Sequence, residues 1–216
     1  MVSEAKKVIG IYLAAGSSRR MGTSKQSLEM AADTRLGSIA LLHALQSEVH
    51  SVVVVVREDD PLDWLSAEVL AYAEAGRCLV EVCAEAGRGI AHSLRVGIKA
   101  AERQNADGIL VVLADQPFID AQMLNRLMDT FRGEAGWDFV ASGDQGMPKP
   151  PVILGREMWP SALALEGDEG ARSLFHLPQY RGQVMDEEEA LKFLDIDTEE
   201  RYLAAKKIVW NKLMLS

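Results

Sequence analysis

The sequence is poor in cysteine, with only Cys78 and Cys83, and its four histidines are scattered. Two thiols cannot build a disulfide framework, and their spacing is not that of a zinc site. They lie in a strand-like run at an odd separation, which directs them to opposite faces and against pairing with each other. They read as reduced core residues of a cytoplasmic protein. Positive charge is also scarce: 23 Lys and Arg stand against 32 Asp and Glu, a formal charge of −9. Bulk binding to nucleic acid or to an anionic membrane is thereby disfavoured, and any anionic ligand must be met by a local basic cluster. Long apolar segments are missing too. The N-terminal run VIGIYLAAG follows two lysines, as in a signal peptide, but SSRRMGTSK cuts it short, so it reads as a buried strand and not as a membrane span. There is no fixed-period repeat and no low-complexity linker.

What is present is ordinary globular material, 48% apolar and 25% charged, in a length of 216 residues that suits one well-buried core. Strand-like runs at 8–14, 51–56, 78–82 and 108–114 alternate with helix-like segments at 37–48, 61–76 and 90–104. Near-continuous Val, Ile and Leu in the runs implies strands covered on both faces, and the βαβα order implies right-handed crossovers. The expected fold is α/β, a single doubly wound, mostly parallel sheet flanked by helices. A further helix is expected from Asp120 to about Arg132. Beyond it, 139–142 and 151–154 read as strands around a loop at 143–150, Asp168 as the cap of a short helix, QVMD as a returning strand, and the last helix as starting near Thr198. The chain is expected to be one domain over 1–216, with a nucleotide-binding half at 1–135 and an acceptor-side half at 136–216.

Three segments carry candidate chemistry. The first strand opens into Leu13-Ala14-Ala15-Gly16-Ser17-Ser18-Arg19-Arg20-Met21-Gly22-Thr23-Ser24-Lys25, where small residues permit close backbone approach and three cations fall within seven residues of an acidic chain. This suits a polyphosphate, although it is neither a Walker A loop nor a GxGxxG turn. The fourth strand ends in Leu113-Ala114-Asp115-Gln116-Pro117. Taken alone, Asp115 reads as a turn or capping residue; at the carboxyl end of a parallel strand it also stands where ligands bind and where Mg²⁺ could be held. In Asp195-Ile196-Asp197-Thr198 the two aspartates share one face if extended, and Thr198 is a good helix cap.

Together these segments resemble the MobA-like nucleotidyltransferases. LAAGSSRRMGTSK follows that family's pattern Leu-Ala-Ala-Gly-x-Ser-x-Arg-Met-Gly-x-x-Lys, Gly89 to Gly97 is similar to its second nucleotide-contacting segment, LADQPF to its metal-binding segment and DIDTEERY to its closing motif. Ala-Ala-Gly in the loop, with LADQP and DIDT downstream, is closest to the molybdenum cofactor cytidylyltransferases, whose relatives mature the cofactor of xanthine dehydrogenase in purine catabolism. The resemblance implies that Leu13, Ala14, Ala15, Gly16, Ser18, Arg19, Gly89 and Ser93 bind the nucleotide. It implies that Arg20, Lys25 and Asp115 act in catalysis and that Asp115 and Asp197 hold Mg²⁺. The implied substrates are CTP and molybdopterin or the molybdenum cofactor, with an apo-molybdoenzyme such as xanthine dehydrogenase as recipient, and with neither nucleic acid nor membrane as a partner. The chain departs from the pattern in two places. Gly146-Met147-Pro148-Lys149-Pro150-Pro151 stands where many relatives carry Gly-His-Pro, with Gly146 and Pro148 the acceptor-side positions, and Ala84 to Arg88 replaces a common asparagine-containing stretch. Three other readings compete: a sugar-phosphate nucleotidyltransferase, a nucleotide-binding cofactor chaperone without chemistry, and a dinucleotide-dependent dehydrogenase, the last weakened by the absent glycine fingerprint.

Overall fold

The apolar runs form the centre of one sheet. In the computed structural model, which describes residues 5–16, 24–133 and 136–214, β1 (Val8–Leu13) is buried along its whole length, and so is β4 (Val52–Arg57) except for its last residue. They are joined by β5 (Cys78–Cys83), β6 (Gly108–Leu113), β7 (Phe139–Asp144), β8 (Met147–Gly155) and β9 (Gly182–Asp186) in the order β5-β4-β1-β6-β8-β7-β9. Only β8 runs against its neighbours. A small antiparallel ribbon of β2 (Glu29–Ala31) and β3 (Thr34–Arg35) stands apart. The architecture is the expected doubly wound, mostly parallel α/β sheet.

Side-chain alternation divides the core between the sheet's two faces. Val8, Tyr12, Val52 and Val54 pack on one face with α1 (Leu36–Gln46), α2 (Ala67–Glu74) and α4 (Ala121–Arg132). Ile9, Ile11, Val53 and Val55 pack on the other with α3 (Ile90–Arg103) and α5 (Trp159–Leu163). Gly97 of α3 lies against β1: a Cβ there would come 2.3 Å from Ile11 Cγ2, so helix and strand meet only because the side chain is missing. A third cluster, built on Met30, Leu36, Phe118, Ile196 and Ala205, folds α6 (Glu199–Met214) back over β2. Among the described residues no helix is long and apolar enough to cross a membrane.

Side-chain caps start three of the six described α-helices, α2, α4 and α6. The Asp120 side chain accepts from the Met123 amide at 2.8 Å, and Thr198 from the Arg201 amide at 3.3 Å, both where the sequence places them. Three expectations are corrected. The helix expected over 61–76 begins only at Ala67, after the Ser66 cap, because Leu62 at φ 57 turns the chain first. The loop expected at 143–150 is instead a tight hairpin, with Gln145 at φ 53 and Gly146 at φ 76 matching the twist of β7 and β8. Its prolines are tolerated because β8 pairs with β6 only over Val152–Gly155, leaving one edge of residues 147–151 without ladder duties. Asp168 caps no helix: the following 3₁₀ turn, Ala171–His176, starts from Gly170.

The cysteines lie on opposite faces, Cys78 in the first cluster and Cys83 in the second. Burial pushes the Cys78 thiol up to about 11. Native protein treated with iodoacetamide at neutral pH is therefore expected to keep Cys78 unmodified, while denaturant exposes it to alkylation. Rapid labelling of Cys78 in the native state, mapped by peptide mass, would contradict this packing.

Candidate active site

Strands β1 and β6 end abreast. Leu13 and Leu113 are paired in register, and the Ala114 amide donates to the Leu13 carbonyl at 3.2 Å. The chain thus leaves both strands at one point on the carboxyl edge, where open parallel sheets place their ligands. A cleft of about 300 Å³ opens there.

One wall is the loop after β1. Leu13, Ala15 and Gly16 face the cleft. Ala14 does not: its amide donates to the Val55 carbonyl at 2.9 Å and its carbonyl accepts from Gln26 Nε2 at 2.8 Å, so it fixes the loop from behind. Ser18, Arg19 and Arg20, singled out by the sequence pattern, lie outside the described residues.

A second wall is the start of α3, where Gly89, Ile90 and Ser93 line the cleft. Gly89 sits at φ 124, and a Cβ would lie 2.1 Å from the Gly167 carbonyl. Only glycine permits this approach of the 167–168 turn, which brings Asp168 to the cleft rim. Helix N-termini favour anions through unpaired amides and the helix dipole.

The third wall is charged. Lys25, in a 3₁₀ turn spanning Lys25–Ser27, places Nζ 2.8 Å from Asp115 Oδ2 and 2.8 Å from Asp197 Oδ1. Asp115 lies two residues beyond the end of β6, after Ala114. Asp197 arrives from the far end of the chain on a segment pinned to it, the Ile196 amide donating to the Asp115 carbonyl at 3.0 Å. Gln116 Nε2 donates to Asp195 Oδ1 at 2.9 Å, and the Arg201 guanidinium donates to the Asp195 carbonyl at 3.1 Å. The Tyr202 hydroxyl fixes α6 to β2 by donating to the Glu29 carbonyl at 2.6 Å. Burial holds the Asp195 carboxyl above its usual range, with the Gln116 amide opposing and the negative charges of Asp115 and Asp197 adding to the rise. Among the described residues no three His, Cys, Asp or Glu side chains gather as a metal cluster. Asp115 and Asp197 do converge on one cationic centre.

The fold thus brings Leu13, Ala15, Gly16, Lys25, Gly89, Ser93, Asp115 and Asp197 to one cleft. Gly146 and Pro148 share the same sheet edge, in and just after the β7–β8 turn, but do not line it; the Gly146 amide instead donates to the Asp186 carboxylate at 2.9 and 3.0 Å. Sequence reasoning missed Gln26, Asp168 and the Gln116–Asp195 contact. For Gln26 and Gln116 the signal was adjacency to Lys25 and Asp115; for Asp168 there was none, because its place depends on the packing of Gly89 against Gly167.

Residues 10–184 match the MobA-like NTP transferase domain. The chain is 38% identical over 197 residues to the purine catabolism protein PucB of Bacillus subtilis (strain 168), covering 90% of this chain and 94% of that one. Its fold is similar to that of an Rv0371c homologue from Mycobacterium sp. strain JC1, with TM-score 0.74, 25% identity and coverage of 94% and 97% of the two chains. It is also similar to Rv0371c of Mycobacterium tuberculosis H37Rv, solved in complex with manganese, with TM-score 0.67, 22% identity and coverage of 93% and 98%. The chain that carries this cleft, its small-residue loop and its paired aspartates belongs to the MobA-like NTP transferase family.

Proposed function

We propose that the protein is a Mg²⁺-dependent nucleotidyltransferase that joins CMP from CTP to the terminal phosphate of molybdopterin, or of its molybdenum-loaded form, and releases pyrophosphate. One observation carries this reading: two carboxylates from distant segments meet one positive centre, each at 2.8 Å, at the edge of a cleft opened by β1 and β6. The Lys25 ammonium is a stand-in cation, and the oxygens around it fit an ion that takes few protein ligands and completes its shell with phosphate and water. When bound, Mg²⁺ supplies the positive charge that a triphosphate needs beside two carboxylates.

The remaining work falls to the chain. The backbone at Leu13, Ala15 and Gly16, braced from behind by Ala14, and the Ser93 hydroxyl hold the nucleotide, with the start of α3 at Gly89 favouring its phosphates. Lys25 and Arg20 stabilise charge on the transferring group, while Ser18 and Arg19 are assigned to the nucleotide from the sequence pattern. An oxygen of the acceptor phosphate attacks the α-phosphorus, the bond from that phosphorus to the bridging oxygen breaks, and pyrophosphate leaves. A phosphate monoester is already nucleophilic near neutral pH, so alignment and charge neutralisation suffice and no Ser-His pair is required. Gly146 and Pro148 are assigned to the acceptor side. Identity of 38% with a purine catabolism protein supports a recipient such as xanthine dehydrogenase, and the reduced thiols suit a cytoplasmic setting. Incubation with each of the four nucleotides and purified molybdopterin cofactor tests the reading; pyrophosphate is expected with CTP, and its absence with all four would refute molybdopterin as the acceptor.

Three outcomes follow from the assigned roles. Lys25→Ala is expected to lower turnover roughly 10²–10³-fold, the usual effect of losing one such electrostatic contact. Its partly exposed ion pairs contribute only about 1 kcal/mol or less to stability. Unchanged pyrophosphate release with a lowered Tm would make Lys25 a structural residue.

CTP is expected to be preferred over GTP, because Ala15 lines the cleft where guanylyl-transferring relatives have glycine, and its Cβ takes room beside the base. Comparison of kcat/KM for the two nucleotides with one acceptor checks this, and equal values would show that the loop does not read the base.

Asp115→Asn and Asp197→Asn are each expected to abolish most Mg²⁺-dependent transfer while the protein stays folded, with Asp195→Asn much milder. Full activity of Asp197→Asn across a Mg²⁺ titration, with loss in Asp195→Asn, would reverse the assignment.

A further inference from the structure

Asp195 and Asp197 stand two residues apart on one short segment, yet they face different partners. Asp197 reaches Lys25, whereas Asp195 takes the amide of Gln116, which is only 3% exposed. An ionised carboxylate only accepts hydrogen bonds, so the amide must present its Nε2 to Asp195. The opposite end of the amide, Oε1, is buried with no partner among the described residues, so the hydrogen bond to Asp195 orients it rather than any wider network. Gln116 directly follows Asp115, and Ile196, between the two aspartates, donates its amide to the Asp115 carbonyl. Residues 115 and 116 thus grip residues 195 and 196 by two hydrogen bonds, one through backbone and one through side chain, and residue 197 is left opposite Asp115.

We propose that Gln116 is a positioning residue: through its hydrogen bond to Asp195 it sets the distance between the Asp115 and Asp197 carboxylates and thereby the affinity of the site for a divalent cation. The inference rests on the metal-site reading given above and adds to it the residue that sets the site's geometry. It also gives Asp195 a role separate from that of Asp197. Asp195 serves as an acceptor, which asparagine can replace; Asp197 serves as a charge, which asparagine cannot. Groups that orient metal ligands from behind typically change metal affinity 10–100-fold when removed.

The test uses Mn²⁺ as a paramagnetic probe of the nucleotide-free protein, with amide hydrogen exchange at Ile196 as a second readout that needs no metal. Gln116→Met, which roughly keeps the side-chain volume, is expected to weaken Mn²⁺ binding 10–100-fold and to speed exchange at Ile196. Asp195→Ala, at a partly exposed position, is expected to do the same without disturbing the core. Asp195→Asn should keep Mn²⁺ affinity close to wild type. The double variant Gln116→Met/Asp195→Ala should be no worse than either single one, because both remove the same bond. Wild-type Mn²⁺ affinity and slow Ile196 exchange in Gln116→Met, or additive losses in the double variant, would overturn the proposal. Failure of the wild-type protein itself to bind Mn²⁺ would contradict the metal-site reading and overturn the link to it, an outcome distinct from wild-type binding that Gln116→Met leaves unchanged.

Discussion

The bridge from Lys25 to Asp115 and Asp197 is the constraint around which the site is arranged. It joins positions 90 and 172 residues apart in the chain, and each arm is 2.8 Å long. Two carboxylates at this separation repel each other and any incoming phosphate unless a cation lies between them. The fold provides that cation from the segment after β1 and both anions from the edge of the sheet. Everything that positions the three groups is consequently part of the site: the β1–β6 register, the Gln26 contact to the Ala14 carbonyl, and the cluster around Ile196 that folds α6 back.

The acidity of the chain takes on a local meaning in this arrangement. A net charge of −9 disfavours anions over most of the surface, so a triphosphate gains little from long-range attraction and must be held by short contacts. The groups that line the cleft and would make such contacts are the backbone at Leu13, Ala15 and Gly16, the helix start at Gly89, and Lys25. Gly89 shows how packing shapes the cleft: its φ of 124 and the contact with Gly167 are needed for α3 to begin there.

Most of the fold was legible because the strands are nearly unbroken apolar runs, and buried parallel strands demand that pattern. Cys78 and Cys83 fall on opposite faces as their odd spacing requires, and Asp120 and Thr198 cap the helices they precede. The convergence of Asp115 and Asp197 was legible only through resemblance, since nothing in either local sequence announces the other. Features that depend on tertiary packing escaped. The β7–β8 hairpin was hidden by prolines that ordinarily break strands, and the site's Gln116–Asp195 contact joins residues 79 positions apart. Asp168 read as a cap because local propensity favours it, whereas the turn at Gly167 carries it to the cleft rim.

The central claim is that the α-phosphoryl group and its nucleoside move together onto an acceptor phosphate. Its most direct measurement follows isotopic label from CTP, placed at the α-phosphorus in one reaction and at the γ-phosphorus in another, with molybdopterin cofactor and a divalent metal present. The account predicts that α-label appears in the cofactor product and γ-label only in pyrophosphate. Transfer of γ-label to the cofactor, or its release as inorganic phosphate with no α-label incorporated, would contradict it.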